Sequence, residues 1–214
     1  MKGTKAHIRY YTSDKQLVPG ATTVLGLLAK PALIPWANKL GLEGIDVKKY
    51  VDKTAEVGTA AHMMVQNYLA CTAFNDLSQF SPDTISQAEN SLLSFYEWEK
   101  SHKLKPIMLE RILVSDKHKF GGTLDCYAEV DGEPWLLDFK TGKGVYDEHA
   151  IQLAAYRQLL REHDYPVAGC RILRIGRDNS EGFDDKIFGA YFLDKQWQIF
   201  QHLLGIYWLR KEVG

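Results

Sequence analysis

The stretch from Phe120 to Lys140, FGGTLDCYAEVDGEPWLLDFK, places Asp125 shortly after a Gly-Gly-Thr and sets Asp138 and Lys140 two residues apart at the end of an apolar run. Two carboxylates and an ammonium drawn together by a hairpin suit metal-dependent hydrolysis of a phosphodiester. Hard divalent cations such as Mg²⁺ or Mn²⁺ take oxygen ligands, which Asp125 and Asp138 offer, and the backbone carbonyl of Phe139 can add another. A bound cation polarises a phosphoryl oxygen and lowers the pKa of a bound water. Lys140, a compact cation, can hold that water or offset charge in the pentavalent transition state. The other reading of the same residues is a surface Asp–Lys pair beside an unrelated Asp.

The elements that must position these groups can be read from the pattern around them. Residues 123–130 alternate as a half-buried strand, Asp131-Gly132 supplies a turn, and Pro134 sits at the entry to the next strand, 134–140. Side chains at i and i+2 of a strand share a face, so Asp138 and Lys140 point one way and Phe139 the other, into packing. An antiparallel partner brings Asp125 to the Asp138 side. A helix over 147–163 comes next, with Gln152 and Tyr156 one turn apart on one face of IQLAAYRQLL. Taken alone, that helix is also an ordinary amphipathic one.

Upstream, EVGTAAHMMVQNYLA reads as a helix over 54–71 with Gly58 ahead of His62, and Ser81-Pro82-Asp83 starts a second helix over 82–103. Glu110 lies on a strand over 106–115. Strands near 168–176 and 186–193 and a final helix over 194–211 complete the chain. Before all of these, HIRYYTS reads as an edge strand. Thr22 or Thr23 can cap a short helix, Pro31 and Pro35 interrupt the stretch after it, and Trp36-Ala37-Asn38 begins a further helix ending near Gly41. The order implies an α/β (mixed α+β) domain over 1–214, with a helical N-terminal part over 1–105 and a sheet core over 106–214.

GTLD, then LLDFKTGK, then QLAAY resembles the core of the PD-(D/E)XK nuclease superfamily. The likeness is strongest to the branch of bacterial recombination helicase–nucleases, phage exonucleases and the mitochondrial genome-maintenance exonuclease. With the TTVL … KPAL … W text upstream, it covers roughly residues 18–160. The resemblance implies a restriction-endonuclease-like core, a mixed sheet flanked by helices, and one or two Mg²⁺ or Mn²⁺ ions. It makes Asp125 and Asp138 metal ligands and Lys140 the catalytic cation. It gives Gln152 and Tyr156 the task of orienting the site and contacting substrate. It also makes His62 a further ligand, which suits Mn²⁺ somewhat better than an all-oxygen site, and Glu110 a residue that supports the ligands or binds the ion through water. His62 alone reads as a hydrogen-bonded helix histidine, Glu110 as an edge-strand Glu in an ion pair, and Glu56 as a surface salt-bridging residue. Thr141 and Lys143 are candidate phosphate contacts. Trp36 and Tyr50 are candidate stacking platforms for bases, though such residues more often serve a core.

The activity implied by the resemblance is DNA exonuclease action on single-stranded or frayed ends, in a phage or a replication, recombination or repair setting. By analogy, a recombinase, helicase or single-strand-binding protein would be the partner. A structure-specific endonuclease on the same fold and a non-catalytic DNA-binding module are the alternatives, with a small-phosphoester hydrolase more remote.

Composition agrees with a globular enzyme. The 214 residues are 45% hydrophobic and 12% aromatic, enough for a core. The formal net charge of −1 does not advertise a nucleic-acid binder, although bound cations restore local positive charge at an acidic site. Cys71, Cys126 and Cys170 are widely spaced and form neither a zinc pattern nor a disulfide framework, and they lack the cluster an iron–sulfur centre needs. No signal peptide and no apolar run near the length of a membrane span is visible, so a cytoplasmic setting, bacterial or that of a phage host, is expected, with no membrane partner.

Overall fold

The computed structural model describes residues 8–73 and 76–214. A two-stranded ribbon, β1 (Tyr10–Tyr11) and β2 (Leu17–Val18), precedes α1 (Ala21–Leu25), α2 (Leu33–Leu42), α3 (Val47–Leu69) and α4 (Pro82–Glu99). Then come β3 (Leu104–Ser115), β4 (Phe120–Val130), β5 (Glu133–Lys140), α5 (Asp147–Glu162), β6 (Gly169–Ile175), β7 (Phe183–Phe188) and α6 (Ala190–Val213). The edge strand expected in HIRYYTS is the short β1; His7 lies outside the described residues.

The five long strands form one sheet in the order β3-β4-β5-β6-β7. Neighbours are antiparallel except β5 and β6, which run parallel. A parallel pair needs a crossover, and α5 supplies it. Each face of the sheet has its own apolar layer. Leu124, Tyr127, Leu136, Cys170 and Ile172 pack with α1, α5 and α6; Cys126, Ala128, Leu137, Phe139 and Leu173 pack with α3 and α4. This is the mixed sheet flanked by helices that the sequence pattern implied.

Helix starts obey local chemistry. Asp46 caps α3 by accepting from the Lys49 N–H at 3.1 Å, so that helix begins about two turns before residue 54. Ser81 caps α4 through the Thr84 N–H, with Pro82 in the first turn. Three expectations needed correction. Pro35 does not interrupt α2 but sits in its first turn, where its missing N–H would be unpaired anyway, so α2 starts at Leu33 rather than Trp36. Neither Thr22 nor Thr23 caps α1; extended Gly20 precedes it, and both threonines lie inside the helix. The strand read over 186–193 stops at Phe188. Gly189 turns the chain, and Leu193, Phe200 and Leu204 then fall on one helical stripe that reaches the core.

No helix among the described residues is long and apolar enough to cross a membrane.

Candidate active site

The Gly-Gly-Thr of β4 allows three close approaches. A Cβ on Gly121 would run into the Tyr10 ring, and a Cβ on Gly122 would run into the Tyr156 ring. Thr123 Oγ1 lies 3.0 Å from the Tyr10 hydroxyl. The two glycines therefore let β1 and α5 close onto the sheet at this point.

Beyond that point the alternation of β4 slips. Leu124 and Tyr127 serve the α5 layer, yet Cys126 serves the α3 layer, so the change of face falls beside Asp125. Across from it, between the pairs Leu109↔Cys126 and Arg111↔Leu124, Glu110 adopts φ 45°, a conformation uncommon for residues other than glycine. Such backbone strain persists where surrounding structure enforces it, and functional sites are where it gathers.

Side chains from four elements meet here. One ligand atom each from His62 on α3, Glu110 on β3 and Asp125 on β4 lies within 4.8 Å of the others. The Asp125 Oδ2 accepts from the Phe139 N–H at 2.8 Å, which holds β4 and β5 together beyond the Cys126↔Leu137 pair. His62 Nε2 stands 3.0 Å from the Phe139 carbonyl oxygen. A carbonyl only accepts, so Nε2 carries a proton and donates to it. The ring's Nδ1 faces Asp125 Oδ1 at 3.7 Å. At that distance the two atoms are too far apart for a hydrogen bond, and an unprotonated Nδ1 there leaves a place for a cation between them.

Asp138 and Lys140 lie on the α5 side of β5, as the i, i+2 spacing requires, while Phe139 turns into the opposite layer against Phe95. Asp138 is 1% exposed and contacts Lys140 Nζ at 2.5 Å through Oδ2; its Oδ1 is buried with no hydrogen-bond partner among the described residues. Burial pushes the Asp138 carboxyl up to about 6 and the Asp125 charge adds to that, against the pull of Lys140 and His62. Burial works to lower the pKa of Lys140, but the Asp138 and Asp125 carboxylates outweigh it and raise it above its ordinary value. Lys140 is therefore a fixed cation here. From α5, Gln152 Oε1 accepts from Lys140 Nζ at 3.4 Å, and Gln152 Nε2 donates to the Tyr156 hydroxyl at 2.9 Å. Burial holds the Tyr156 phenol far above its usual pKa.

The donor set fits a divalent cation. It combines an imidazole nitrogen with the Asp125 and Glu110 carboxylates, and the unpartnered Asp138 Oδ1 is buried nearby. The Phe139 carbonyl accepts from His62 Nε2, on the side of the ring away from Nδ1. Asp138 falls outside the tight His62–Glu110–Asp125 triple and lies against Lys140 instead.

Other expected residues are placed differently. Thr141 is 8% exposed and would have its Oγ1 3.2 Å from a Cβ on Gly58, so this glycine lets α3 close onto the loop after β5. Lys143 is exposed on that loop, and Glu56 is exposed on α3. Trp36 packs edge-on to Tyr50 at 5.9 Å, joining α2 to α3. The motifs do not single out His149, although it lies on the Gln152–Tyr156 stripe three residues before Gln152; that spacing was its only signal in the sequence. Cys71, Cys126 and Cys170 are all free thiols.

Comparison with solved structures finds a candidate exonuclease from Eubacterium rectale (TM-score 0.45, 14% identity, 70% of this chain and 64% of that one). It also finds an alkaline exonuclease from Laribacter hongkongensis (TM-score 0.37, 13% identity, 73% and 91%) and the same enzyme in complex with dAMP (TM-score 0.36, 10% identity, 75% and 90%). The chain thus spans slightly less than two thirds of the Eubacterium protein. A search of curated protein sequences finds no match. The family model of the PD-(D/E)XK nuclease superfamily matches residues 36–204, most of the chain and every residue of the cluster described above. The chain belongs to the PD-(D/E)XK nuclease superfamily.

Proposed function

We propose that this protein is a metal-dependent DNA exonuclease acting on single-stranded or frayed ends, serving phage or bacterial replication, recombination or repair in the cytoplasm. The observation that carries the reading is the meeting of the His62–Glu110–Asp125 triple with the buried Asp138–Lys140 pair at the end of β5. Superfamily membership supplies the reaction class, hydrolysis of a phosphodiester.

His62, Asp125 and Asp138 would hold the ion, with Glu110 completing its shell. The bound Mg²⁺ or Mn²⁺ supplies Lewis acidity at the phosphoryl oxygen and a water of lowered pKa. Lys140, held protonated by the carboxylates beside it, offsets the charge that builds on the phosphoryl oxygens and orients the attacking water; it does not serve as a base. Gln152 fixes the Lys140 ammonium from the α5 side, and the buried Tyr156 hydroxyl fixes the Gln152 amide in turn. Lys143, exposed on the loop after β5, is assigned a contact with a phosphate of the strand, and Trp36 a stacking contact with a base.

The test is degradation of end-labelled linear single-stranded, linear duplex and closed circular DNA with Mg²⁺ or Mn²⁺, beside Asp138→Ala. Loss of linear but not circular DNA, abolished in the variant, is the expected result. Nicking of circles replaces the exonuclease with an endonuclease. No cleavage, together with no Mn²⁺ binding that depends on Asp138, leaves a non-catalytic DNA-binding module.

A further inference from the structure

His149, Gln152 and Tyr156 stand at i, i+3 and i+7 of α5 and form one stripe of that helix. Gln152 and Tyr156 are tied to Lys140, so the stripe faces the end of β5. The near side of the His149 ring is fixed. Its Nδ1 accepts from the Tyr146 N–H at 3.2 Å, in the manner of a capping box, and the Tyr146 ring stands edge-on at 5.5 Å. A nitrogen that accepts carries no proton, so the neutral ring bears its proton on Nε2. That N–H has no partner among the described residues. Burial, together with the Lys140 charge, keeps the ring neutral; Glu148 opposes this, Lys30 reinforces it, and the ring pKa is lowered to about 4. The ring is therefore a fixed N–H donor that feels the charges of Lys140 and Lys30, which are themselves paired with Asp138 and Glu148. An unpartnered N–H on the face of α5 that meets Lys140 suits an anionic oxygen of a substrate.

We infer that His149 binds substrate: its Nε2–H donates to a non-bridging oxygen of a DNA phosphate held beside Lys140. The inference rests on the nuclease reading above. A neutral donor of this kind binds a phosphate without itself titrating across physiological pH, as a free imidazole would.

Two substitutions separate donation from helix capping. His149→Asn keeps an acceptor for the Tyr146 N–H but removes the distant donor, whereas His149→Gln places an amide N–H at the reach of Nε2. A hydrogen bond to a charged phosphate sets the scale. His149→Asn is expected to lower kcat/KM by roughly ten- to a hundredfold, mostly through KM, with melting temperature and Mn²⁺ affinity unchanged, and His149→Gln is expected to recover most of the loss. If His149→Asn performs like wild type, the residue is only a helix cap and the inference fails.

NMR of the wild-type protein, with Ca²⁺ replacing Mg²⁺ and a short thymidine oligonucleotide as probe, gives a reading independent of any variant. A shift of the His149 Nε2–H resonance on binding, with Nδ1 unchanged, supports the inference. Binding without that shift overturns it alone. No binding of the oligonucleotide overturns the nuclease reading and this inference with it.

Discussion

Asp138→Asn is expected to remove activity and yet stabilise the metal-free protein. The Asp138 carboxyl is buried, and its pKa rises from 3.8 in the unfolded chain to about 6 in the fold. The folded state thus holds this proton more tightly than the unfolded state does. Ionising the group costs folding free energy, and the cost is fully present above pH 6 and gone below about pH 4. A difference of roughly two units corresponds to about 3 kcal/mol. The attraction of Lys140 is already contained in that figure, since it is among the forces that set the pKa. An asparagine mimics the protonated carboxyl and escapes the cost. Denaturant unfolding at pH 8 with chelator should show the variant about 3 kcal/mol more stable, roughly 6–12 °C in melting temperature for a chain of this size. At pH 4 the two proteins should be equal. Saturating Mn²⁺ should raise the wild type far more than the variant, because a ligand that binds only the folded state stabilises it by mass action. A variant no more stable at pH 8, or a gain that persists at pH 4, refutes the argument that a buried carboxylate only partly compensated by Lys140 is kept here for metal binding.

Other perturbations test the remaining parts. His62→Ala should weaken Mn²⁺ binding by more than about tenfold, the 1.4 kcal/mol equivalent that one lost ligand at least represents, while DNA affinity changes less; calorimetry showing unchanged metal affinity returns His62 to its hydrogen bond with Phe139. Gly122→Ala should destabilise the fold by about 1–3 kcal/mol and lower activity, since the new methyl group meets the Tyr156 ring; wild-type melting and turnover would show that the ring moves aside freely. In the native protein iodoacetamide should label the exposed Cys71 and spare Cys126 and Cys170, whose thiols are buried and, for Cys170, raised to about 12; native labelling of Cys126 would show that the sheet opens beneath the site.

The same burial that makes Asp138 costly links metal and proton. A carboxyl that ionises near pH 6 must lose its proton before it can take a cation, so metal affinity should fall as pH drops through that value. Lys140 cannot relieve the competition, because its charge is already engaged in the ion pair.

Much of this was legible in the chain itself. Period two in WLLDFK put Asp138 and Lys140 on one face and Phe139 on the other, because a strand has no other choice. The Asp131-Gly132 turn fixed the antiparallel return that brings Asp125 across, and the i, i+4 spacing joined Gln152 to Tyr156. These are local rules, acting within a strand, a hairpin or a helix. Where local signals compete, boundaries slipped: the apolar text around Gly189 suits a strand as well as a helix until the core selects the helical stripe of Leu193 and Phe200. Contacts between distant segments were beyond local rules. The sequence could not say that His62, far upstream of Asp125, would turn its Nδ1 toward it, since that depends on α3 closing onto the loop after β5 at Gly58. It could not show that Glu110 would sit in a left-handed conformation beside the ligands, or that Thr141 would be buried against α3. The lowered pKa of His149 likewise arises only once α5 has buried the ring within reach of the Lys140 and Lys30 charges. Spacing along the chain named the reactive groups; the burial and direction that give them their charge states came from packing helices on both faces of one sheet.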